Sequence, residues 1–425
     1  FFKQKTAYEI GVRLVGSEMC IRDRGTSTGV NPLHVSLPWD GLDAANHTVS
    51  GNVTWLINAR TTNYVSGGPV NDRIDSAQAT VNGSLSDELG EIKKLEALVI
   101  PMFDIHNEPI AIPQYDRVRG RKKPIALPVR RAIFDEIFAT FDITLPQDAE
   151  PDSYLIWGES GGNILFSGNK TLINGLNTVA VGYNLPKIAK YDKIDWYCSS
   201  PKGNNIRKSL GSSDSPIYAV LDQPQPPQTI PREDVVDFAV ETQKFNNDTL
   251  NELRIGSYLT TRIYKDSGFE YDEDGEEHHT KTLDRKGRVM RFRVSNFLTY
   301  SGNPPQDNLG NCQDFSNLFQ VCSASLGVKT FQVRRIDGPF AFRRVWPVGF
   351  PTWFEPDDYQ LEFHQTGYST QHDSIFDPTY QLDNGGLPTL PINMTPADYR
   401  LLLQDRNRKP KKWKEQMPVI PLEVN

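Results

Sequence analysis

Three residues of this sequence, Cys312, His364 and Asp377, have the types and the order that nucleophilic catalysis by a thiol requires. A cysteine that attacks an amide carbonyl needs a base that takes its proton and a third group that orients the base. An imidazole and a carboxylate can fill those two roles. The reaction that such a set could perform is acyl transfer from an amide, through a thioester on the cysteine.

The cysteine lies where a helix is predicted to begin. Apolar residues follow Cys312 at three- and four-residue spacing, which predicts a helix with one buried face: Phe315, Leu318, Phe319, Cys322 and Leu326. Asn311 is a good N-cap, Asp314 a first-turn capping residue, and Gly327 a natural end of the helix. The dipole and the free N–H groups of the first turn favour a thiolate there. The segment alone is also compatible with a small apolar residue at a helix start.

The base has to come from seven histidines. They form three groups along the chain: His34, His47 and His106 in the N-terminal region, His278 and His279 in an acidic segment, and His364 and His372 after the cysteine. His364 lies in a strand predicted over 359–365, where a rigid backbone can aim its ring, whereas His372 lies in a predicted turn. We therefore interpret His364 as the base.

The orienting carboxylate follows from the pairing expected for that strand. Residues 374–379 are predicted to form its partner, and we expect the connecting turn to centre between Thr370 and Gln371. His364 and Asp377 then lie directly opposite each other and project from the same face of the hairpin. Taken singly, the histidine also fits a half-buried strand residue, and the aspartate fits a turn after a strand. Their order and opposition together favour a paired site.

Length and composition bound the elements that must position this set. A chain of 425 residues exceeds one ordinary core, so we expect two or three domains. Its apolar and charged fractions, 38% and 23%, are those of a soluble globular protein. The formal net charge of −7 argues against a nucleic acid or an anionic membrane as the main partner. No apolar run approaches the length of a membrane span.

Residues 1–24 are set apart from the rest. Their sequence, FFKQKTAYEIGVRLVGSEMCIRDR, resembles the translated read-through of a sequencing adapter, a contaminant of assembled metagenomic data. We exclude them from the fold, expect them to be unstructured, and treat the true N-terminus as missing, which leaves a signal peptide open. The alternative is a genuine amphipathic arm. Without Cys20, three cysteines remain, too few for a disulfide framework.

Residues 26–224 carry the signals of a β-rich region, for which a β-sandwich is predicted. Short strand candidates alternate with turn signals, over 52–57, 163–166, 175–181, 194–198 and 217–221. One segment departs from this pattern, because residues 133–141 place apolar side chains at helical spacing. The proline-rich residues 225–231 form the clearest linker, and we place the domain boundary there.

Residues 232–400 are predicted to form the second domain. Helices are expected over 232–240 and after Asp248, which would serve as an N-cap. The acidic segment 270–279 ends in two histidines, and its spacing fits neither a calcium loop nor a zinc site. We therefore expect a solvated hairpin loop there, with no metal and no cofactor. A basic tail follows over 401–425.

The motifs around the three residues resemble those of the transglutaminase-like domain, a branch of the papain-like cysteine proteases. The residues that carry the resemblance are Gly310-Asn311-Cys312-Gln313-Asp314, Phe363-His364-Gln365 and Phe376-Asp377-Pro378-Thr379. Family members show a G-x-C-x-D helix start, a strand histidine and an aspartate in D-P-T, in that order. The resemblance covers residues 234–387, and such a domain also follows β-sandwich modules in bacterial proteins that resemble this one.

The resemblance implies a fold class and a site. The fold would be α+β, with an N-terminal immunoglobulin-like β-sandwich region followed by a papain-like, transglutaminase-like α+β domain. Cys312 would be the nucleophile, His364 the general base and Asp377 the residue that orients it. Gln306, six positions before the cysteine, is the candidate that would hold the oxyanion together with the Cys312 N–H. The partner would be a protein or peptide substrate, and the location periplasmic or secreted rather than cytoplasmic.

Three functional readings fit this sequence, two enzymatic and one non-enzymatic. A thioester on the cysteine can be hydrolysed, as in a peptidase or amidase, or it can be transferred to a second amine, as in a transglutaminase that crosslinks proteins. The resemblance favours hydrolysis, which is the default among bacterial-type members of that family. The third reading is a non-enzymatic envelope or binding protein that retains the fold. The complete set of three residues argues against that reading, and the oligomeric state stays open.

Overall fold

The computed structural model describes fifteen stretches of the chain, namely residues 7–14, 19–21, 53–62, 73–81, 89–97, 99–129, 137–145, 152–200, 207–240, 251–272, 279–282, 290–299, 308–355, 360–416 and 422–424. Over these stretches the chain is of mixed α+β class, as predicted, with many strands and few helices. In the described residues no helix is both long enough and apolar enough to cross a membrane.

The first four strands form one antiparallel sheet in the order β2-β1-β3-β4. They are β1 (Ala7–Leu14), β2 (Met19–Ile21), β3 (Val53–Thr62) and β4 (Arg73–Val81). Two of them lie within residues 1–24, so the expectation that this segment has no secondary structure differs from the backbone described here. The resemblance of the segment to adapter read-through concerns its origin and stays a prediction.

The following region contains thirteen strands in the stretches that the structure describes. They are β5 (Gly90–Ala97), β6 (Tyr115–Asp116), β7 (Arg121–Lys122), β8 (Ile125–Pro128), β9 (Ile137–Ile143), β10 (Ser153–Ser160), β11 (Asn163–Thr171), β12 (Gly175–Ala180), β13 (Gly182–Tyr183), β14 (Ala189–Tyr191), β15 (Ile194–Ser199), β16 (Lys208–Ser213) and β17 (Ile217–Val220). They form two five-stranded sheets, β13-β11-β10-β15-β16 and β12-β9-β5-β6-β7, and a three-stranded sheet, β14-β17-β8.

Aromatic side chains from the two five-stranded sheets meet in one core. Trp196 of β15 is fully buried, and its ring lies 5.5 Å from the ring of Phe141 in β9 and 5.5 Å from that of Phe166 in β11. The indole N–H donates to the hydroxyl of Ser213 at 3.0 Å, so burial leaves this polar group satisfied. The β-rich character predicted for this region is confirmed.

The helix predicted over 133–141 is wrong where the structure describes it. Residues 137–143 form β9, in which buried and half-buried residues alternate strictly. That period of two belongs to a strand with one face on the core. The spacing was misleading because Phe138, on the outer face, is also apolar. Residues 133–136 lie outside the described residues.

The proline-rich segment proposed as a linker is packed against both of its neighbours. The Gln225 N–H donates to the carbonyl of Ala324 at 2.9 Å, and the Pro231 carbonyl accepts from the Phe103 N–H at 3.0 Å. The apolar core also continues from Leu221 before the segment to Val235 after it. The boundary at 225–231 stays a prediction, but the segment is not a free spacer.

The C-terminal part contains five helices and thirteen strands in the described residues. They are α1 (Glu233–Val240), α2 (Glu252–Thr261, extended by a π-helical turn at Arg262–Asp266), β18 (Glu270–Tyr271), β19 (Thr280–Thr282), β20 (Met290–Phe292), α3 (Val294–Thr299), β21 (Leu309–Gly310), α4 (Cys312–Ser325), β22 (Phe331–Ala341), β23 (Val345–Pro347), β24 (Gln360–Ser369), β25 (Ser374–Phe376), β26 (Tyr380–Asn384), β27 (Leu387–Thr389), β28 (Ile392–Met394), α5 (Pro396–Leu403), β29 (Lys414–Gln416) and β30 (Leu422–Val424). The largest sheet here has the order β28-β25-β24-β22-β29, and α4 packs against β24.

Two local expectations in this part need correction. The N-cap of α2 is Asn251, whose side chain accepts from the Leu253 N–H at 2.9 Å, while Asp248 lies outside the described residues. The acidic segment does not end in solvent, because His279 is buried and its ring lies 4.5 Å from that of Phe297. Residues 273–278 of that segment lie outside the described residues.

Candidate active site

The start of α4 fixes the backbone around Cys312. The Asn311 side chain accepts from the N–H groups of Gln313 and Asp314, at 2.8 and 3.3 Å. The Asp314 carboxylate in turn accepts from the Asn311 N–H at 3.1 Å, which completes a capping box. The predicted helix start and cap are thereby confirmed. Because Asp314 binds the backbone N–H before the cysteine, it serves as a capping residue.

A buried polar network ties α4 to the strand that carries His364. Gln365 donates from its amide nitrogen to the hydroxyl of Ser316 at 2.8 Å and to the side-chain oxygen of Asn317 at 3.2 Å. The Ser316 hydroxyl donates onward to the carbonyl of Cys312 at 2.7 Å. The position of the cysteine backbone is therefore linked to the residue that follows His364.

His364 and Asp377 form a hydrogen-bonded pair in the interior. His364 Nε2 lies 3.0 Å from Asp377 Oδ2, and neither side chain is exposed to solvent. The hairpin register differs from the prediction, since Gly367 pairs with Phe376 and the turn centres between Gln371 and His372. The pair is therefore diagonal rather than directly opposed, and it forms because Asp377 lies just past the end of β25, where the chain has left the ladder.

Three donors hold the Asp377 carboxylate. Its Oδ2 accepts from the hydroxyl of Tyr399 at 2.7 Å as well as from His364, and its Oδ1 accepts from the Thr379 N–H at 2.8 Å. Tyr399 lies on α5, so a helix that follows the hairpin completes this arrangement. These donors satisfy the hydrogen-bonding capacity of both carboxylate oxygens in the interior.

The charge of His364 follows from this neighbour. Burial disfavours the imidazolium, but the charge and the hydrogen bond of Asp377 outweigh burial and raise the pKa of His364 to about 10. The Cys312 side chain also contributes to the raised pKa, after Asp377. Nδ1, the ring nitrogen that Asp377 does not use, makes no hydrogen bond of ordinary geometry with a described residue.

Two tyrosine rings lie parallel to the imidazole. The centroid of the Tyr380 ring lies 4.9 Å from that of His364 with 19° between the planes, and the Tyr399 ring lies at 6.5 Å with 14°. Both rings are buried. This stack keeps water from the His364–Asp377 pair and fixes the plane of the imidazole.

A pocket of about 190 Å³ opens onto Cys312, which is 5% exposed. The described residues that line it are mostly aromatic or apolar, with a few polar groups: Tyr271, Asn311, Cys312, Phe342, Pro347, Phe354, Gln360, Leu361, Glu362, Phe363 and Tyr380. An apolar pocket with a few convergent polar groups is the usual form of a binding site. The thiol is therefore reachable from solvent through a shaped opening.

Tyr271 brings a hydroxyl group into the same pocket. It lies in β18, which pairs in parallel with β21 so that Tyr271 is next to Gly310, two residues before the cysteine. Its oxygen accepts from the hydroxyl of Tyr380 at 2.6 Å, which leaves its own proton for another acceptor. Burial raises the pKa of Tyr271 far above that of a free phenol, so the hydroxyl stays protonated at neutral pH.

The structure pairs His364 with Asp377 and places Cys312 at the start of α4, the helix that packs against the strand of His364, whereas Gln306 lies outside the described residues. Sequence reasoning missed three tyrosines. Tyr380 directly follows the D-P-T motif and could have been found by that adjacency, whereas Tyr271 and Tyr399 carry no local signal. In the described residues, no cluster of His, Cys, Asp and Glu side chains is arranged to hold a metal ion.

Comparison of the sequence with protein-family models and with curated proteins gives no match. The resemblance to the transglutaminase-like domain therefore rests on the three motifs themselves. The geometry described above is independent of that resemblance.

The pKa of His364 predicts a pH dependence of stability. The folded-state pKa of about 10 exceeds the value near 6.5 of an unfolded chain, so protonation of His364 stabilises the folded state. This contribution is fully present below pH 6.5 and is lost as the pH rises through 10. Asp377→Asn should lower the pKa of His364 and flatten this part of the curve, as measured by NMR titration and by urea unfolding between pH 6 and 10.

The control for this titration is His372→Gln. His372 is exposed in the turn of the same hairpin, and its replacement should leave the pKa of His364 unchanged. If the pKa of His364 stays near 10 in Asp377→Asn, the carboxylate is not the cause of the shift.

Proposed function

We propose that this chain is a thiol-dependent acyltransferase that acts on amides and releases its product mainly by hydrolysis, as a peptidase or amidase. The proposed architecture is an immunoglobulin-like β-sandwich region followed by a papain-like, transglutaminase-like domain. The observation that carries the proposal is the buried His364–Asp377 pair, 3.0 Å apart, beside a cysteine that opens into a pocket. This is the arrangement that thiol nucleophiles require.

In the proposed reaction, the proton of Cys312 has already passed to His364, which its raised pKa holds as the imidazolium at neutral pH, and Cys312 Sγ attacks the amide carbonyl as a thiolate. The imidazolium then donates this proton to the leaving amine as the C–N bond breaks and a thioester forms. In the second half, water attacks the thioester carbonyl and His364 takes its proton. The C–S bond then breaks, which releases the carboxylic acid and returns the Cys312 thiolate. Asp377 holds the ring through Nε2 in both halves, and Tyr399 and Thr379, which also donate to it, fix the position of its carboxylate.

The oxyanion of the tetrahedral intermediate needs donors near the sulfur. The Cys312 N–H lies in the first turn of α4, where it has no intrahelical acceptor. The second donor in this proposal is the Tyr271 hydroxyl, which lines the pocket and already accepts from Tyr380. Gln306 remains a candidate from sequence for the same role.

Selective alkylation tests the activated thiol. Iodoacetamide should modify Cys312 faster than Cys198 or Cys322, because the latter two are fully buried and burial raises the pKa of Cys198 to about 12 and that of Cys322 higher still. Peptide mapping by mass spectrometry gives the rate at each site. His364→Ala should slow the alkylation of Cys312 at least about tenfold, because the group that takes the thiol proton is lost.

His372→Ala is the matched control for that alkylation, because this histidine lies outside the site. Equal rates at the three cysteines would support the non-enzymatic reading. A fast Cys312 that does not respond to His364→Ala would remove His364 from the mechanism.

The role of Tyr271 is tested by Tyr271→Phe, which keeps the ring and removes the hydroxyl. Loss of one oxyanion donor should lower kcat by about 10²-fold with little change in KM. Tyr368→Phe is the control, because Tyr368 lies on β24 but donates to Asp373 in the exposed turn. An unchanged kcat for Tyr271→Phe on a peptide substrate would exclude the hydroxyl as a donor.

Hydrolysis and transfer differ in which nucleophile reaches the thioester. A glutamine peptide incubated with the enzyme and a labelled primary amine should yield the free acid with little label, because water is the expected acceptor. Mass spectrometry separates the two products. Predominant incorporation of the amine would overturn the hydrolase proposal in favour of a transglutaminase, and Cys312→Ser sets the background.

A further inference from the structure

The pocket beside Cys312 runs along the edge of a strand. Four consecutive residues of β24, Gln360 to Phe363, line it. Successive side chains of a strand point to opposite faces, so a pocket in contact with four residues in a row follows the edge, where backbone N–H and C=O groups point outward. A ligand in this pocket therefore meets main-chain donors and acceptors as well as side chains.

One edge of β24 has no strand partner at this point among the described residues. On its first side, β24 pairs with β22 along its length, from Ser369 opposite Phe331 to Gln360 opposite Ala341. On its other side, pairing with β25 covers residues 367–369 alone. β25 ends at Phe376, and the Asp377 N–H donates instead to the carbonyl of Pro391 at 2.9 Å. Because the chain leaves the β24–β25 ladder after Phe376, Asp377 lies beside His364 and the edge of β24 at residues 360–363 has no strand partner among the described residues.

We propose that the substrate is an extended polypeptide, bound as an added strand on this free edge of β24, with a basic side chain opposite Glu362. The inference rests on the proposed acyl-transfer function, whose substrate class it names. Strand addition binds the main chain of any sequence, and side chains at alternate positions supply selectivity. Cys312 lines the same pocket, so an added strand carries a backbone carbonyl past the thiol.

Charge selects among such peptides. Glu362 is exposed and charged, whereas the other described residues that line the pocket are aromatic, apolar or neutral polar groups. A lysine or arginine directly opposite Glu362 would form a favourable cross-strand pair, and a glutamate there would be repelled. The aromatic side chains of Phe342, Phe354 and Phe363 leave apolar room for neighbouring side chains of the peptide.

Tetrapeptide vinyl sulfones test this inference on the intact protein. In the labelling step, Cys312 Sγ adds to the alkene carbon β to the sulfone, on the peptide side, and a proton is taken up at the carbon next to the sulfone, so no leaving group is needed. Probes carry lysine or glutamate at one position of an acetylated alanine background. At the probe position that lies opposite Glu362, we expect the lysine probe to label Cys312 about two- to fivefold faster than the glutamate probe. This is the range expected for one cross-strand charge pair.

Variants assign this preference to one side chain. Glu362→Gln should abolish the ratio between lysine and glutamate probes, and Glu362→Lys should invert it. Glu355→Gln is the matched control, because Glu355 is an exposed glutamate near Arg344 that does not line the pocket. A ratio that survives Glu362→Gln, or is lost in Glu355→Gln, would overturn the charge assignment.

Backbone methylation tests the strand itself. An added strand pairs with β24 through the N–H groups of alternate residues, so N-methylation at every second amide should slow labelling about fivefold, the loss expected for one hydrogen bond, and the amides between should be less sensitive. Equal effects at all positions would exclude strand addition. Alkylation by iodoacetamide separates the two proposals. If iodoacetamide modifies Cys312 selectively but N-methylation shows no alternating effect, strand addition is wrong and the acyl-transfer function stands. If iodoacetamide does not modify Cys312 selectively, the acyl-transfer function itself is wrong.

Discussion

The buried contact between His364 and Asp377 is the interaction on which the rest of the site depends. Removing two charged groups from water costs several kcal/mol per ion, and mutual attraction offsets this cost only when the remaining hydrogen-bonding capacity is also satisfied. Here the Thr379 N–H and the Tyr399 hydroxyl complete the shell of the carboxylate. The parallel ring of Tyr380 covers the imidazole. The pair is therefore a consequence of the whole C-terminal fold.

The site also requires α4, which carries Cys312, to lie close to β24, which carries His364. A side chain at Gly367 would meet ring carbons of Phe319 at 2.5 and 2.6 Å, so the absence of a Cβ at this position of β24 lets the helix lie against the strand. Gln365 then reaches Ser316 and Asn317 across the contact. These interactions hold the sulfur and the imidazole, which come from separate elements, in a fixed relation.

The elements that carry chemistry could be predicted because each has a local signal. Asn311 and Asp314 predict the cap of α4. A strand pattern that ends at Asp377 predicts the hairpin. The register could not be derived in the same way, because the position of the turn depends on how β25 packs against β28 as well as on the turn residues. The diagonal contact between His364 and Asp377 forms because the chain leaves the ladder after Phe376. Residue spacing alone does not predict that departure.

Other parts of the site were invisible for a different reason. Tyr271 contributes through a two-residue strand, and Tyr399 through one face of a short helix that begins nineteen positions after the carboxylate it binds. Such contacts are set by tertiary packing, and an isolated tyrosine in a sequence carries no mark of its partner. The misread segment over 133–141 shows the converse, since apolar residues on both faces of β9 imitate a helical repeat.

The dependence of Asp377 on α5 has a consequence for synthesis. A chain leaving the ribosome exposes the cysteine first, the imidazole about fifty residues later, and Tyr399 later still. Until that last hydroxyl arrives, the carboxylate lacks one of its three donors and the interior around it is open to water. The order of the elements along the chain therefore delays completion of the hydrogen bonds to Asp377 until α5 has been translated.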